Sequence, residues 1–374
     1  MDLAIVAGEH SGDQHAAIMV KEIKKIRPNI NIVAFGGRSL REAGADVIVD
    51  MTKFAVVGVY EIIPNLFFLT KLLNQTVKWI EVCRPKAVCL VDYPEFNLKL
   101  ARKLFERGLS RKSGGNIKVF YYISPQIWAW RPKRRHQMAK VIDSLAVILP
   151  FEKKYFEDTP LDVNFVGHPL LSPNHDLNIL YNPNGPVLLL HGSRVSSIKR
   201  IFPLLLKSFL KILAEDSDRM AIVVYPDEIA LVVLRKILNK NFPKLVNFIS
   251  FIADGESVEA CATIMSSGTM SLRCCLAGIP GAIVYKTHPL TYSIGKILVK
   301  INFIGIANIL LDRCVWREFL QSQFRPKSVA KHILQYLKSE KLRQSFAVAA
   351  GKLRDILSTG ADVSAARWML SAVE

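Results

Sequence analysis

The chain has 374 residues, half of them hydrophobic, with 50 Lys+Arg against 32 Asp+Glu and a formal net charge of +18. That length exceeds one ordinary core and suits two domains of about 100–200 residues each, and so high an apolar content excludes global disorder. The charge draws the surface toward an anionic partner, whether nucleic acid, acidic lipid or a phosphorylated substrate.

Basic residues are spread along the chain, with one tight cluster at Arg131, Lys133, Arg134 and Arg135. No zinc-finger spacing, RNP1-like pattern or basic region with heptads accompanies them, so a nucleic-acid partner is not expected. The six cysteines form no C-x-x-C pair and sit mostly in apolar runs, which reads as reduced thiols. The opening run Met1–Ala7 lacks a basic n-region and a cleavage site, and is not expected to be a signal peptide. No charge-free stretch of about 18 apolar residues occurs, so a transmembrane helix is not expected either. A cytoplasmic protein with peripheral membrane contact is the expectation.

Short apolar runs alternate with longer helical patterns, as in βαβ units around a parallel sheet. The strands expected in the first half are Leu3–Ala7, Ile32–Phe35, Ala87–Asp92, Lys118–Ile123, Ser144–Leu149 and Asn164–Gly167, apolar on consecutive positions because both sheet faces are covered. From His168 to Pro186 the rhythm breaks into Pro and Asn punctuation. It restarts with Val187–Leu190, Met220–Tyr225, Val246–Ile249, Thr263–Met265 and Ala282–Tyr285, and from Pro326 the tail reads as helical apart from Gly351 and Gly360. An α/β fold of two Rossmann-like domains facing a cleft is expected. Its first domain is 1–170, its linker 171–186 and its second domain 187–340, and helices over 341–374 pack back toward the first domain.

Five features carry chemistry. Gly8-Glu9-His10-Ser11-Gly12-Asp13 opens a helix directly after the first strand, a place for an anion or a catalytic carboxylate; Ser11 or Asp13 could equally cap that helix. Asp92-Tyr93-Pro94-Glu95 places two carboxylates at another strand end, where one could act as a general base or Asp92 could be a cap. Ser124-Pro125-Gln126-Ile127-Trp128-Ala129-Trp130-Arg131 sets two tryptophans beside cations, suited to a sugar or headgroup or to an interdigitated core loop. Gly192-Ser193-Arg194 and Ser267-Gly268-Thr269 follow strands of the second half and could together hold a diphosphate. Leu66, Phe67, Phe68, Leu69, Leu72 and Leu73 form a wide apolar stripe, either facing a membrane interface or the core. No two histidines have ligand spacing with a carboxylate, so neither a metal nor a cofactor is expected. Lone loop histidines such as His168 and His288 read as structural.

Taken in order, these motifs resemble the lipid-A-disaccharide synthase family over roughly residues 2 to 330. Ser124-Pro125-x-x-Trp128-Ala129-Trp130-Arg131 is the most specific of them. Pro150-Phe151-Glu152-Lys153, Gly167-His168-Pro169, Asn308-Ile309-Leu310 and Glu318-Phe319-Leu320-Gln321 match as well. The resemblance implies a GT-B fold and an inverting, metal-independent transfer of diacylglucosamine from UDP-2,3-diacylglucosamine to 2,3-diacylglucosamine 1-phosphate. It further implies attachment to anionic lipid at the cytoplasmic face of the inner membrane, and leaves a homodimer open.

By the same resemblance Glu95 stands at the position of an acid important for activity, with Asp92, Glu9 and Asp13 as the other candidate carboxylates. Gly192, Ser193, Arg194, Ser267, Gly268, Thr269, Asn308 and Glu318 would contact UDP. Ser11, Ser124, Trp128, Trp130 and Arg131 would line the acceptor side. Three positions depart from the family's usual pattern: Glu95 replaces Asp, His191 replaces Pro and Arg273 replaces an acid. A paralogue that binds UDP or lipid-linked sugar without transfer, and a UDP-sugar epimerase on the same fold, are the alternatives that the residues leave open.

Overall fold

The computed structural model describes residues 1–52, 62–173, 176–287, 292 and 302–374, with the side chains of 62–67 outside the description. His288 lies outside the described residues. The chain divides into two compact units, Met1–His175 with Leu357–Glu374, and Asp176–Ile356.

Seven parallel strands form the first unit's sheet: β1 (Leu3–Ala7), β2 (Ile32–Gly36), β3 (Asp46–Asp50), β4 (Ala87–Val91), β5 (Lys118–Tyr122), β6 (Ser144–Val147) and β7 (Asp162–Phe165). Their spatial order is β3-β2-β1-β4-β5-β6-β7. All residues of β1, β2 and β4 are buried, which explains why those runs are apolar at every position rather than at alternate ones. The crossovers include α1 (His10–Ile26), α2 (Arg38–Glu42), α3 (Ile62–Cys83), α4 (Pro94–Glu106) and α5 (Arg134–Val141). Helix α4 starts on Pro94, whose fixed φ and missing N–H suit a first helical turn.

In the second unit, β9 (Val187–Leu190), β10 (Ala221–Tyr225), β11 (Ile249–Ala253), β13 (Ala262–Ser266), β14 (Gly281–Tyr285) and β15 (Arg317–Leu320) pair in the parallel order β11-β10-β9-β13-β14-β15. A separate pair joins β8 (Ile179–Tyr181) to β12 (Val258–Ala260). Its helices include α6 (Val195–Leu213), α7 (Glu228–Asn241), α8 (Thr269–Leu276), α9 (Ile306–Leu311), α10 (Pro326–Lys338) and α11 (Glu340–Ser358), and α12 (Ala365–Leu370) follows in the C-terminal segment of the first unit. There the Trp368 indole donates to Ser144 Oγ at 2.9 Å, with its ring 5.0 Å from that of Phe120.

Several expectations are corrected. The stretch 171–186 is not a bare linker: β8 lies inside it and pairs with β12, so the chain from Asp176 onward belongs to the second unit. A three-residue strand is too short to show a period among prolines and asparagines. Pro243–Phe248 is a 3-10 turn rather than the start of a strand, consistent with Pro at its first position. The last strand of the first unit is Asp162–Phe165, two residues earlier than expected. Gly351 is carried inside α11, where open space surrounds it.

The apolar stripe of α3 is mainly core. Leu72, Leu73, Val77 and Ile80 are buried in one cluster with Val6, Leu90 and Leu100, and Leu69 packs against it. Leu69, Leu72 and Leu73 are therefore not membrane-facing, because the sheet they cover needs that surface. Phe68 is exposed, while the side chains of Leu66 and Phe67 lie outside the described residues. Leu72→Ala is expected to destabilise the protein by about 2–5 kcal/mol and Phe68→Ala by at most about 1 kcal/mol, read from urea unfolding.

Candidate active site

In each sheet the strand order reverses once, between β1 and β4 and between β9 and β13. The segments leaving those strands carry the four candidate carboxylates and the two glycine-containing turns of the second unit, as expected for ligand sites of open parallel sheets.

In the first unit the Gly8 turn and the Asp92–Glu95 turn meet. The Tyr93 ring lies against Gly8 so closely that a Cβ there would stand 2.2 Å from Tyr93 Cδ1. Asp92 and Tyr93 both have left-handed backbone, φ 47° and 45°, a conformation that costs energy outside glycine and needs support. Two side chains supply it. Tyr121 Oη donates to the Asp92 carbonyl at 2.6 Å, and the buried Asn97 amide donates to the Asp92 and Val91 carbonyls at 2.8 and 3.1 Å. Glu9 is the N-cap residue of α1, without a side-chain cap bond, and Ser11 sits in that helix's first turn.

Asp13 is corrected from catalytic candidate to structural tie. It is buried, and its two oxygens accept the amides of Gly37 at 2.6 Å and Ser39 at 2.9 Å, capping α2 rather than its own helix.

Glu95 stays at the surface between two guanidiniums: Arg131 donates to it at 3.1 Å, and Arg134 makes a shorter contact with the same oxygen. Partial burial pushes its carboxyl up, but Arg134, Arg131 and Lys99 outweigh that and hold it below the usual value. Arg131, itself left-handed at φ 53°, stacks 4.3 Å from the half-exposed Trp130 ring. Ser124 is buried with its hydroxyl donating to the Pro125 carbonyl at 2.9 Å, so it shapes the loop instead of facing solvent.

Trp128 points the other way, its indole donating to Glu152 Oε1 at 3.2 Å and its ring meeting the edge of Phe151 at 5.2 Å. Burial pushes the Glu152 carboxyl up to about 8 despite bonds from the Leu149 amide and Trp128 that favour its charged form. Glu152, Tyr93, Tyr121 and Asn97 were not singled out as functional from the sequence. The available signal for Glu152 was its place in the Pro150-Phe151-Glu152-Lys153 motif, shortly after the sixth strand.

In the second unit, Gly192 (φ 85°) follows β9, and a Cβ there would lie 2.9 Å from Ser197 Oγ and 3.0 Å from the Oγ of Ser266, the last residue of β13. Ser193 and Arg194 are exposed just before α6, with Arg194 as its N-cap. Gly268 opens α8, where Ser271 Oγ accepts its amide at 3.1 Å and donates back to its carbonyl at 2.6 Å. Two helix N-termini thus start from adjacent strands, which suits a multiply charged anion.

Asn308 and Glu318 are corrected from expected UDP contacts to ties within the protein. Asn308 has no exposed surface; its Nδ2 donates to the Trp316 carbonyl and Glu318 at 2.7 and 2.9 Å, and its Oδ1 accepts the Val315 and Trp316 amides at 3.0 and 3.1 Å. Its amide has no capacity left for a ligand. Glu318 accepts the Ile304 and Gly305 amides at 2.8 and 2.9 Å, while Ser267 Oγ donates to the Ile304 carbonyl at 3.1 Å. Arg273 pairs with Asp254 at 3.0 Å, both nearly buried. His168 accepts the Leu170 amide through Nδ1 at 3.2 Å and meets His15 edge-on, a structural role.

A parallel Rossmann-like sheet in each unit, with two motif-bearing turns at its switch point, defines the class as GT-B-like. In agreement, the fold is similar to that of the glycotransferase of kitacinnamycin (TM-score 0.62, 11% identity, 100% of this chain and 99% of that one). It is also similar to that of UDP-GlcNAc 2-epimerase from Neisseria meningitidis bound to UDP-GlcNAc (TM-score 0.60, 12% identity, 96% of this chain and 99% of that one). The chain belongs to the lipid-A-disaccharide synthetase family, whose model matches residues 3–366. It is 34% identical to lipid-A-disaccharide synthase of Nitrosococcus oceani, over 100% of this chain and 96% of that protein. It is 36% identical to lipid-A-disaccharide synthase 1 of Legionella pneumophila strain Lens, over 96% of this chain and 93% of that protein.

Two predictions follow from the geometry. Gly8→Ala forces the Tyr93 ring off the strained turn and is expected to lower turnover at least about tenfold with the fold retained by circular dichroism. Burial lowers His191 and His332 from 6.5 to about 4. Their contribution to stability is then complete above about pH 6.5 and is lost as the pH falls toward 4. The urea midpoint of the second unit is expected to fall over that window, and to fall less when either residue is Gln.

Proposed function

We propose that the chain catalyses transfer of 2,3-diacylglucosamine from UDP-2,3-diacylglucosamine to 2,3-diacylglucosamine 1-phosphate, with inversion, releasing UDP and the β-1,6-linked disaccharide 1-phosphate. The observation that carries this reading is the position of four of the motifs: Gly8–Asp13 and Asp92–Glu95 in the first unit, and Gly192–Arg194 and Ser267–Thr269 in the second, follow the strands on either side of the sheet's switch point. In this reading the second unit takes the donor. The leaving diphosphate is met by Arg194 and by the amides of Gly192, Ser193, Gly268 and Thr269 at the starts of α6 and α8, so the transfer is metal-independent. Ser267, Asn308 and Glu318 act one step back by fixing the 304–305 turn.

The acceptor belongs to the first unit, where Trp130 offers a sugar-stacking face and Arg131 and Arg134 offer cations for the 1-phosphate. Glu95 takes the acceptor hydroxyl proton as the hydroxyl attacks the anomeric carbon and the bond to UDP breaks. Asp92 and Glu9 complete the negative edge beside it. The net charge of +18 and the exposed Trp130, Arg131 and Phe68 support peripheral attachment to an anionic membrane surface on the cytoplasmic side. Among the described residues no helix is long and apolar enough to cross a membrane.

The test is a transfer assay in detergent micelles with both acylated sugars. Disaccharide and UDP should appear. Arg194→Ala should raise the KM for donor, and Glu95→Gln should lower kcat by about 10²–10⁴ with little change in KM. Absence of product with UDP binding still seen by calorimetry would replace transfer with a binding role. Free UDP-sugar converted to its epimer, with no acceptor needed, would replace it with epimerisation.

A further inference from the structure

We propose that Glu152 is a positioning residue for the transfer reaction, fixing the Trp128 indole so that the following loop presents Trp130 and its arginines to the acceptor. This rests on the acceptor-side reading above and adds to it a residue that touches no substrate.

Glu152 is 2% exposed, in the 3-10 turn Pro150–Phe156 that leaves β6. Its carboxyl bridges two donors: the Trp128 indole at 3.2 Å on Oε1 and the Leu149 amide at 3.1 Å on Oε2. Phe151, its neighbour, packs edge-on against the same indole at an interplanar angle of 84°. Loop residues Ile127 and Ala129 are also buried, but apolar burial is non-directional and fixes depth rather than rotation. The Trp128–Glu152 bond is directional. Two residues further on, the backbone enters the left-handed region at Arg131, whose guanidinium lies 4.3 Å from the Trp130 ring and 3.1 Å from Glu95. A rotation of the loop about its buried residues would therefore move Trp130 and both contacts to Glu95 together.

An acid is an expensive choice for an anchor. Burying a carboxyl costs stability, and the nearby Asp92 carboxylate adds repulsion. A neutral acceptor would hold an indole more cheaply. Groups kept at such a cost gather at functional sites, and this one couples the Pro150–Lys153 motif to the Ser124–Arg131 motif.

The experiment uses the full chain and four variants: W128F, E152A, E152Q and the double variant W128F/E152A. W128F keeps the ring and removes only the donor. Each of W128F and E152A is expected to lower kcat about 10–100-fold, since loop displacements near 1 Å cost that much, with the KM for donor unchanged within about twofold. The double variant should be no slower than E152A, because both changes break one tie. E152Q, which keeps an oxygen for the indole, should recover to within about threefold of the parent. In 15N-tryptophan-labelled protein the Trp128 indole N–H signal, assigned by its loss in W128F, should move in E152A and stay near its parent position in E152Q.

Additive losses in the double variant, or parent-like turnover in W128F, would overturn the proposal. If E152A does not fold, W128F and E152Q decide it alone. An inactive parent chain would overturn the transfer reading itself, whereas an active parent with unaffected variants overturns only the role of Glu152.

Discussion

Every strand in each main sheet runs in the same direction, and this single constraint organises the chemistry. All outgoing turns leave from one edge, and where the strand order reverses, two turns diverge and leave a gap that no crossover helix covers. In the first unit that gap lies between β1 and β4, registered from Leu3 opposite Ala87 to Ala7 opposite Val91. The two turns end level, so Gly8 and Tyr93 must share space that admits a ring on one side only if the other has no Cβ. The strained backbone at Asp92 and Tyr93 follows from fitting that ring, and Tyr121 and Asn97 hold it from the adjoining strand and helix. The same logic puts Gly192 against Ser266 between β9 and β13.

On this scaffold the carboxylates separate by environment. Backbone amides claim Asp13 and Glu318, guanidiniums claim Glu95, and burial claims Glu152. One residue type thereby serves as a helix cap, a loop tie, an ionised surface group and a nearly neutral anchor, and the surroundings alone decide which. Glu95 is the member whose charge is secured in neutral solution while its oxygens remain at the surface. In the proposed reading that combination, rather than any unusual basicity, is what suits it to meet an incoming hydroxyl.

The central strands were legible in the sequence because burial on both faces leaves continuous apolar runs with no other use. Two of the edge strands were not. Asp46–Asp50 and Arg317–Leu320 are partly exposed and carry charges at their ends, so they lack that signature. The α3 stripe shows a related ambiguity: a wide apolar face reads alike whether a sheet or a membrane covers it, and only the packing of Leu72, Leu73, Val77 and Ile80 resolves it. The motifs fall where strands end and helices begin, but their spacing does not tell which side chains are spent on ties within the protein. Asp13 spends its carboxylate on amides 24 and 26 residues away, and Asn308 is saturated by a neighbouring turn. Such partnerships depend on tertiary contacts that no local spacing encodes.

The three departures from the family pattern are each neutralised where they stand. Arg273 would bring a buried positive charge to the helix that starts at Gly268, but Asp254, at the exit of β11, sits 3.0 Å from it and offsets the charge. An unpaired cation at that depth would be strongly destabilising, whereas a paired one mainly fixes geometry. His191 could add a charge beside Gly192 and Arg194, yet burial keeps its imidazole neutral through the physiological range, and it acts there as a small aromatic wedge against Phe202. Glu95 carries its charge one methylene further out than Asp, and Arg131 and Arg134 reach it there. The three side chains are thus each accommodated locally: Arg273 by an ion pair, His191 by burial as a neutral ring, and Glu95 by two guanidiniums.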